Sequence, residues 1–187
     1  MRAAEPLGNF VVDQRSDEQL VADANAGERA AFEALYRRHR DWAHRLATRF
    51  SASDADAQDA VQEVFIWLAR KFPGFALRAK MTTVLYPAVK HAALAIRRKR
   101  RRGGSEDFPA DLADEGAELP KDGDLRTLLG KLSEAHREVV LMRFVDDMTL
   151  EEIAAGLGVP TGTVKSRLHH ALAALKEDPG IHRYFAP

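Results

Sequence analysis

The stretch Thr149 to Lys176, TLEEIAAGLGVPTGTVKSRLHHALAALK, constrains this chain more than any other. Thr149, followed three residues later by Glu152, makes a capping box, so a helix starts there. Ile153, Ala154 and Leu157 recur at helical spacing, Gly158 supplies a left-handed turn, and Pro160 blocks continuation. Val159 is expected to pack inward and Thr161 to cap the second helix. Val164, Leu168, Ala171, Leu172 and Leu175 share one face of that helix, and Gly162, Thr163, Lys165, Ser166, Arg167, His169 and His170 share the other. A helix-turn-helix needs this division, because the apolar face fixes the crossing angle while the polar face enters the major groove. Lys165 and Arg167 supply charge-assisted contacts there, and arginine can hold guanine through two hydrogen bonds. An ordinary amphipathic helix pair would show the same apolar stripe. The combination of capping box, glycine turn, proline and cationic outer face favours DNA.

Charge distribution supports that reading where net charge hides it. The 187 residues carry 28 basic and 28 acidic side chains, for a formal charge of zero. Yet Arg97 to Arg102 is an unbroken cationic run, RRKRRR, and Gly103 to Asp124 then holds eight acids and one lysine. The chain has no cysteine, which excludes disulfides, thiol redox chemistry and cysteine-ligated zinc. No apolar run reaches membrane-spanning length, and the first residues lack a signal-peptide pattern, so a soluble cytoplasmic protein without membrane insertion is expected.

In chain order, residues 1–15 read as a loose arm. Ser16 with Gln19 caps a helix from Asp17 to Ala26, and Glu28 to Phe50 is a long helix with an inward stripe of Phe32, Leu35, Tyr36, His39, Ala43, Leu46, Ala47 and Phe50. His39 on that stripe reads as a core-edge histidine. Ser53 caps a third helix to about Phe72, whose inner stripe is Val61, Val64, Phe65, Leu68 and Phe72. Asp54, Asp56 and Asp59 suit the positive end of its dipole. Pro73 and Gly74 break it, and a loop with a basic tip, Arg78 and Lys80, leads to helical composition from Met81 to Arg102. Pro87 inside that span predicts a helix start or kink near Tyr86. Gly103 to Asp124 reads as a flexible acidic linker spanning roughly 25 Å. Leu125 to Gly130 and Ser133 to Val145 are helices ahead of the helix-turn-helix, and the tail leaves helical pattern at Pro179. The expectation is an all-α chain: two small helical domains, 16–102 and 125–178, joined by the linker 103–124, with a tail at 179–187.

Two stretches then resemble the group 4, extracytoplasmic-function sigma factors of bacterial RNA polymerase. DAQDAVQEVFIWLARKFPGF, Asp56 to Phe75, is similar to the family's polymerase-binding segment. LSEAHREVVLMRFVDDMTLEEIAAGLGVPTGTVKSRLHHALAALK, Leu132 to Lys176, is similar to the domain that reads the −35 promoter element. The resemblance implies that Asp59, Gln62, Glu63 and Phe65 dock on the β′ clamp helices of core RNA polymerase, whose β subunit is also a partner. It implies that Thr161, Thr163, Lys165, Ser166, Arg167, His169 and His170 face the −35 element. The part that holds the opened −10 element falls on Phe75 to Arg102, with Arg78, Lys80, Tyr86, Lys90, His91, Arg97 and Arg98 as its candidate contacts. Here the chain departs from the family pattern. Met81 stands where a phenylalanine is usual, Thr83, Val84 and Leu85 where a threonine-tryptophan-leucine run is usual, and His91 and Ala95 replace an asparagine and an aspartate. The cationic groove that single strands need is kept, with fewer aromatic platforms.

The resemblance therefore implies a promoter-specificity factor that binds core polymerase and promoter DNA, with an anti-sigma protein as a possible further partner. It implies no enzymatic activity, no cofactor and no metal. On this reading the polymerase sets the separation of the two domains. The acidic linker is expected to fold back on Arg97 to Arg102 in the free protein. The alternative is a helix-turn-helix activator or repressor whose helical N-terminal domain senses a ligand or dimerises. An enzyme, such as a nuclease using Asp54, Asp56, Asp59 and histidines, is the third class; a metal cluster on those acids is disfavoured because the sequence offers them no nearby histidine and no calcium-type loop.

Overall fold

The computed structural model describes residues 13–103 and 123–178; residues 1–12 of the expected arm, most of the acidic linker and the tail lie outside the described residues. Among the described residues there are eight α-helices and no strand. They are α1 (Asp17–Asn25), α2 (Arg29–Thr48), α3 (Asp54–Ala69), α4 (Met81–Gly103), α5 (Gly123–Gly130), α6 (Glu134–Phe144), α7 (Leu150–Leu157) and α8 (Thr161–Glu177).

The N-terminal unit is α1 to α4. Ser16 and Gln19 form the expected reciprocal cap of α1, and Ser53 caps α3 by accepting from the Asp56 N–H. Helix α2 packs against α1, α3 and α4, and α3 packs against α4. Leu20, Leu35, Leu46, Phe50, Leu68, Leu85 and Val89 fill the space between them. His39 is buried at the edge of this core and shares a 2.9 Å hydrogen bond with Asp17. The last residues of the expected loose arm are tied down. Arg15 pairs with Asp13, Asp23 and Glu28, which holds the Asp13 carboxyl at about 2 through its hydrogen bonds to Arg15.

The loop after α3 is set from a distance. Asn25, at the end of α1, accepts hydrogen bonds from the Gly74 and Phe75 N–H groups at 2.7 and 3.1 Å. Its amide nitrogen donates to the Phe75 carbonyl at 2.9 Å. Phe72 meets Phe32 edge-on and also contacts Phe75, so the chain leaves α3 against an aromatic cluster.

Three local expectations need correction. Helix α4 does not start near Tyr86; it begins at Met81 and carries Pro87 inside it. A proline there forfeits one ladder bond, and the flanking buried residues Met81, Leu85, Tyr86, Val89 and Ala93 hold the helix to the core on both sides of it. Thr161 does not cap α8: it is the first helical residue, and Pro160 occupies the cap, its carbonyl accepting from the Thr163 and Val164 N–H groups. The linker's expected ends are helical, since Gly103 closes α4 and Gly123 and Asp124 open α5.

The C-terminal unit is α5 to α8. Helix α6 packs on α7 and α8, and α7 on α8. Val139, Met142, Met148, Ile153, Val164 and Ala171 form its centre. Arg137 is buried in this unit and donates to the Leu129, Gly130 and Leu132 carbonyls, which ties α6 to the end of α5.

The two units touch directly, α4 against α7. A Cβ added at Gly156 of α7 would lie 3.9 Å from Tyr86 Cβ and 3.4 Å from the Met142 methyl, ordinary contact distances, so α7 sits directly against α4 at this point.

Candidate nucleic-acid and polymerase interfaces

The recognition helix is presented as its composition demands. Thr149 and Glu152 form the capping box that starts α7, and Gly158 ends it at φ 66°, a left-handed conformation that suits glycine. Val159 is partly buried against the core, which fixes the turn from inside. Val164 and Ala171 are fully buried and clamp α8. Lys165, Ser166, His169 and His170 stand exposed on the other side, with Thr161, Thr163 and Arg167 half-buried at its margin. The His169 and His170 rings lie 5.6 Å apart, and His136 of α6 comes within 6.3 Å of His170, so the histidines extend the polar face toward the start of α6. All seven residues expected at the −35 element therefore belong to one surface.

The residues expected at the −10 element divide. Arg78, Lys80, His91 and Arg98 are exposed, and Arg97 is half-buried. Tyr86 is not an accessible stacking platform: it is 1% exposed, and its hydroxyl donates to Glu138 of α6 at 2.8 Å. Burial and the adjacent Glu138 carboxylate raise the Tyr86 pKa far above the ordinary tyrosine value, so it stays a neutral donor. Lys90 donates to the same Glu138 oxygen at 2.6 Å and lies over the Phe50 ring. Lys80 pairs with Glu152 at 2.8 Å, which raises the lysine pKa. Burial works against charge on Glu152, but Lys80 and the Thr149 N–H outweigh it and lower its pKa. Sequence periodicity marks α4 as amphipathic, but only tertiary structure shows that its outer face meets acids of the other unit.

The surface expected to meet polymerase lies on α3 and α2. Asp59, Gln62 and Glu63 are exposed, whereas Phe65 is buried, edge-on to Tyr36 at 4.9 Å between ring centres. Phe65 falls on the inward stripe of α3, so it supports the surface from below. A groove of about 750 Å³ runs between α2 and α3, lined among others by Phe32, Tyr36, Arg40, Val61, Gln62 and Phe65. The sequence reading missed Ile66 and Trp67, which are 45% and 40% exposed beside this groove. Their signal was present, since both are large apolar residues off the inward stripe. Lys71 stands 5.3 Å over the Trp67 ring. Of the acids at the start of α3, Asp56 does more than complement the dipole: it is buried and pairs with Arg100 of the cationic run at 2.9 Å.

Comparison with known proteins bears on these surfaces. The family descriptions "Sigma-70 region 2" and "Sigma-70, region 4" match residues 35–103 and 128–177. The chain is 33% identical to the ECF RNA polymerase sigma factor SigM of Mycobacterium tuberculosis strain H37Rv, over 87% of this chain and 84% of the relative. It is 31% identical to the ECF RNA polymerase sigma-E factor of Escherichia coli K12, over 91% and 99% of the two chains. Its fold is similar to CnrH solved with the cytosolic domain of CnrY, with a TM-score of 0.62 and 24% identity over 86% of this chain and 94% of that one. The sigma factor RpoE of Bartonella quintana, solved with the anti-sigma factor NepR, gives a TM-score of 0.57 and 23% identity over 78% of this chain and 94% of that one. The chain belongs to the extracytoplasmic-function branch of the sigma-70 family and is an RNA polymerase sigma factor.

Proposed function

We propose that the work of this sigma factor divides between residues 16–102 and residues 125–178. The first unit docks on the β′ clamp helices through Asp59, Gln62 and Glu63, with Ile66, Trp67 and the α2/α3 groove adjoining them, and it holds the opened −10 strand along α4. The second sets α8 in the −35 major groove. The observation that carries this is the exposed row Lys165, Ser166, His169 and His170, backed by the fully buried Val164 and Ala171. Such a helix can enter a groove without losing its own packing. Arg167, at the margin of the row, is the base-reading candidate, and Lys165 is a phosphate contact.

The protein makes and breaks no bonds itself; it directs the polymerase, in the cytoplasm, to chosen start sites. Two fold relatives were solved with protein partners, one of them named as an anti-sigma factor, and a partner of that kind fits a chain with an open α2/α3 groove beside exposed Ile66 and Trp67. Run-off transcription with core polymerase on genomic fragments tests the reading. The wild-type chain should give discrete start sites, and Arg167→Ala should lose them selectively. Failure to associate with core polymerase would point to a conventional helix-turn-helix regulator.

A further inference from the structure

We propose that His136 of α6 joins His169 and His170 of α8 in a patch that takes up protons as it meets the DNA backbone, so that DNA binding by α8 strengthens as pH falls from about 8 to about 6. This rests on the placement of α8 in the −35 groove. Packing of α6 along α8 brings the three rings together. The His169 and His170 ring centres lie 5.6 Å apart, and His136 lies 6.3 Å from His170 at an interplanar angle of 34°. His169 and His170 are exposed and His136 is half-buried. Val139, one turn on from His136, and Ala171, next to His170, are fully buried, so both helices are anchored at the patch. No hydrogen bond joins the three rings to another described residue, which leaves their nitrogens to solvent or to a ligand.

The charged groups around the patch decide what an added proton meets. On α8, Lys165 and Arg167 lie one turn before the histidine pair, and Lys176 and Glu177 two turns after it. On α6, Glu134 shares the first turn with His136. Arg137 is turned inward onto the Leu129, Gly130 and Leu132 carbonyls, and Arg143 donates to the Met148 carbonyl. On α7, which packs on both helices, Glu152 is held by Lys80 and Glu151 is exposed. Lys131, just after α5, pairs with Asp178 beyond α8. The cations next to the rings along α8 are thus Lys165 and Arg167, and cations crowded on one face repel one another until an anion arrives.

A DNA backbone is that anion. A neutral imidazole donates one N–H, whereas a protonated ring donates two and carries a charge, so it grips a phosphate as lysine does. Histidine is the side chain whose charge changes near neutral pH. Phosphates therefore favour the protonated rings, and by reciprocity protons favour the DNA-bound state. The complex then holds more protons than its separate parts, and affinity rises as pH falls. Each proton taken up adds one cation to the contact and steepens the salt dependence by about 0.9. One whole proton is worth about tenfold per pH unit, and partial uptake shared by three rings puts the gain over two pH units at roughly tenfold. Because His136 belongs to α6, the patch also reaches phosphates beside the groove that α8 enters.

The test titrates the full chain into a random-sequence DNA duplex carrying a pH-insensitive dye, at low salt with chelator present, and reads the ratio of affinities at about pH 6 and about pH 8. Wild type should give a ratio of about ten and a steeper salt slope at the lower pH. The combined His136→Gln, His169→Gln and His170→Gln variant should bring the ratio close to one, and His136→Gln alone should lower it part of the way. A ratio that survives in the triple variant overturns the patch, since the proton then sits on another group such as the exposed His91. A wild-type ratio in His136→Gln overturns the part given to α6. Calorimetry on the unaltered chain, in two buffers of unlike ionisation enthalpy, counts the same protons without any variant. Zero uptake at pH 7 overturns the inference while leaving α8 on DNA. Failure to bind duplex at either pH would instead sink the −35 placement itself, and the inference with it.

Discussion

The two helices proposed to face DNA, α8 and α4, are prepared to different degrees. Helix α8 shows its polar row to solvent while its apolar row is clamped inside the C-terminal unit. Helix α4 has a comparable division, yet Tyr86 and Lys90 on its outer side are engaged by Glu138. The polar row of α8 is open as folded, whereas Tyr86 and Lys90 of α4 are occupied by an acid of the other unit. A recognition surface thus cannot be read from one helix alone when a second unit of the same chain carries the complementary charge.

The change that should break this contrast most strongly is Tyr86→Ala. It removes a fully buried ring at the seam and should cost about 4 kcal/mol, read as a lowered urea midpoint. Tyr86→Phe keeps the ring and leaves Lys90 on Glu138, so its cost should be about 1 kcal/mol. A phenylalanine variant as damaging as the alanine one would mean that the hydroxyl, not the packing, carries the seam.

The α8 side is tested by Arg167→Ala, which should weaken binding to a −35 duplex by about 1–3 kcal/mol and relax its selectivity. Lys165→Ala should instead weaken all sequences alike and reduce the salt slope by about one. A smaller effect is expected from Thr149→Ala, which deletes the hydroxyl that accepts from the Glu152 N–H and should cost about 1 kcal/mol in thermal unfolding.

Acid should act on both units in the same direction. Burial raises the Asp17 pKa, but His39 and Arg38 more than reverse this and leave it lowered, and Glu152 is lowered as well. A carboxyl with a depressed folded-state pKa stabilises above its ordinary value and loses that contribution as pH falls through the folded one. Stability should therefore decline progressively below about pH 4, and the Glu152→Gln variant should show a shallower decline.

The sequence carried the helices because their signals are local. Ser16 with Gln19, Ser53, Ser133 and Thr149 with Glu152 all cap where the sequence places them, and Gly158 turns left-handed as expected. The exposed polar row of α8 was equally legible, since Val164 and Ala171 mark the inside of that helix by periodicity alone. What stayed hidden depends on contacts far apart in the chain. Arg49 and Asp146 are separated by 97 positions, and Tyr86 and Glu138 by 52. No periodicity encodes such pairs. Asp56 shows the same limit: as a first-turn acid it looks like dipole compensation, and only folding brings Arg100 to it. Pro87 left a helix start or a kink open, and the start was ruled out because packing on either side of it carries the helix through.

Asn25 has a consequence for anyone who would exchange the segment proposed for the −10 element between relatives. One amide on α1 grips the backbone of Gly74 and Phe75, and so aims the segment that bears Arg78 and Lys80. Transplanting residues 73–80 by themselves would carry the charges into a new protein without the hand that points them. The graft should be made with Asn25 included, and a chimera lacking it should keep its affinity for polyanions while losing its register.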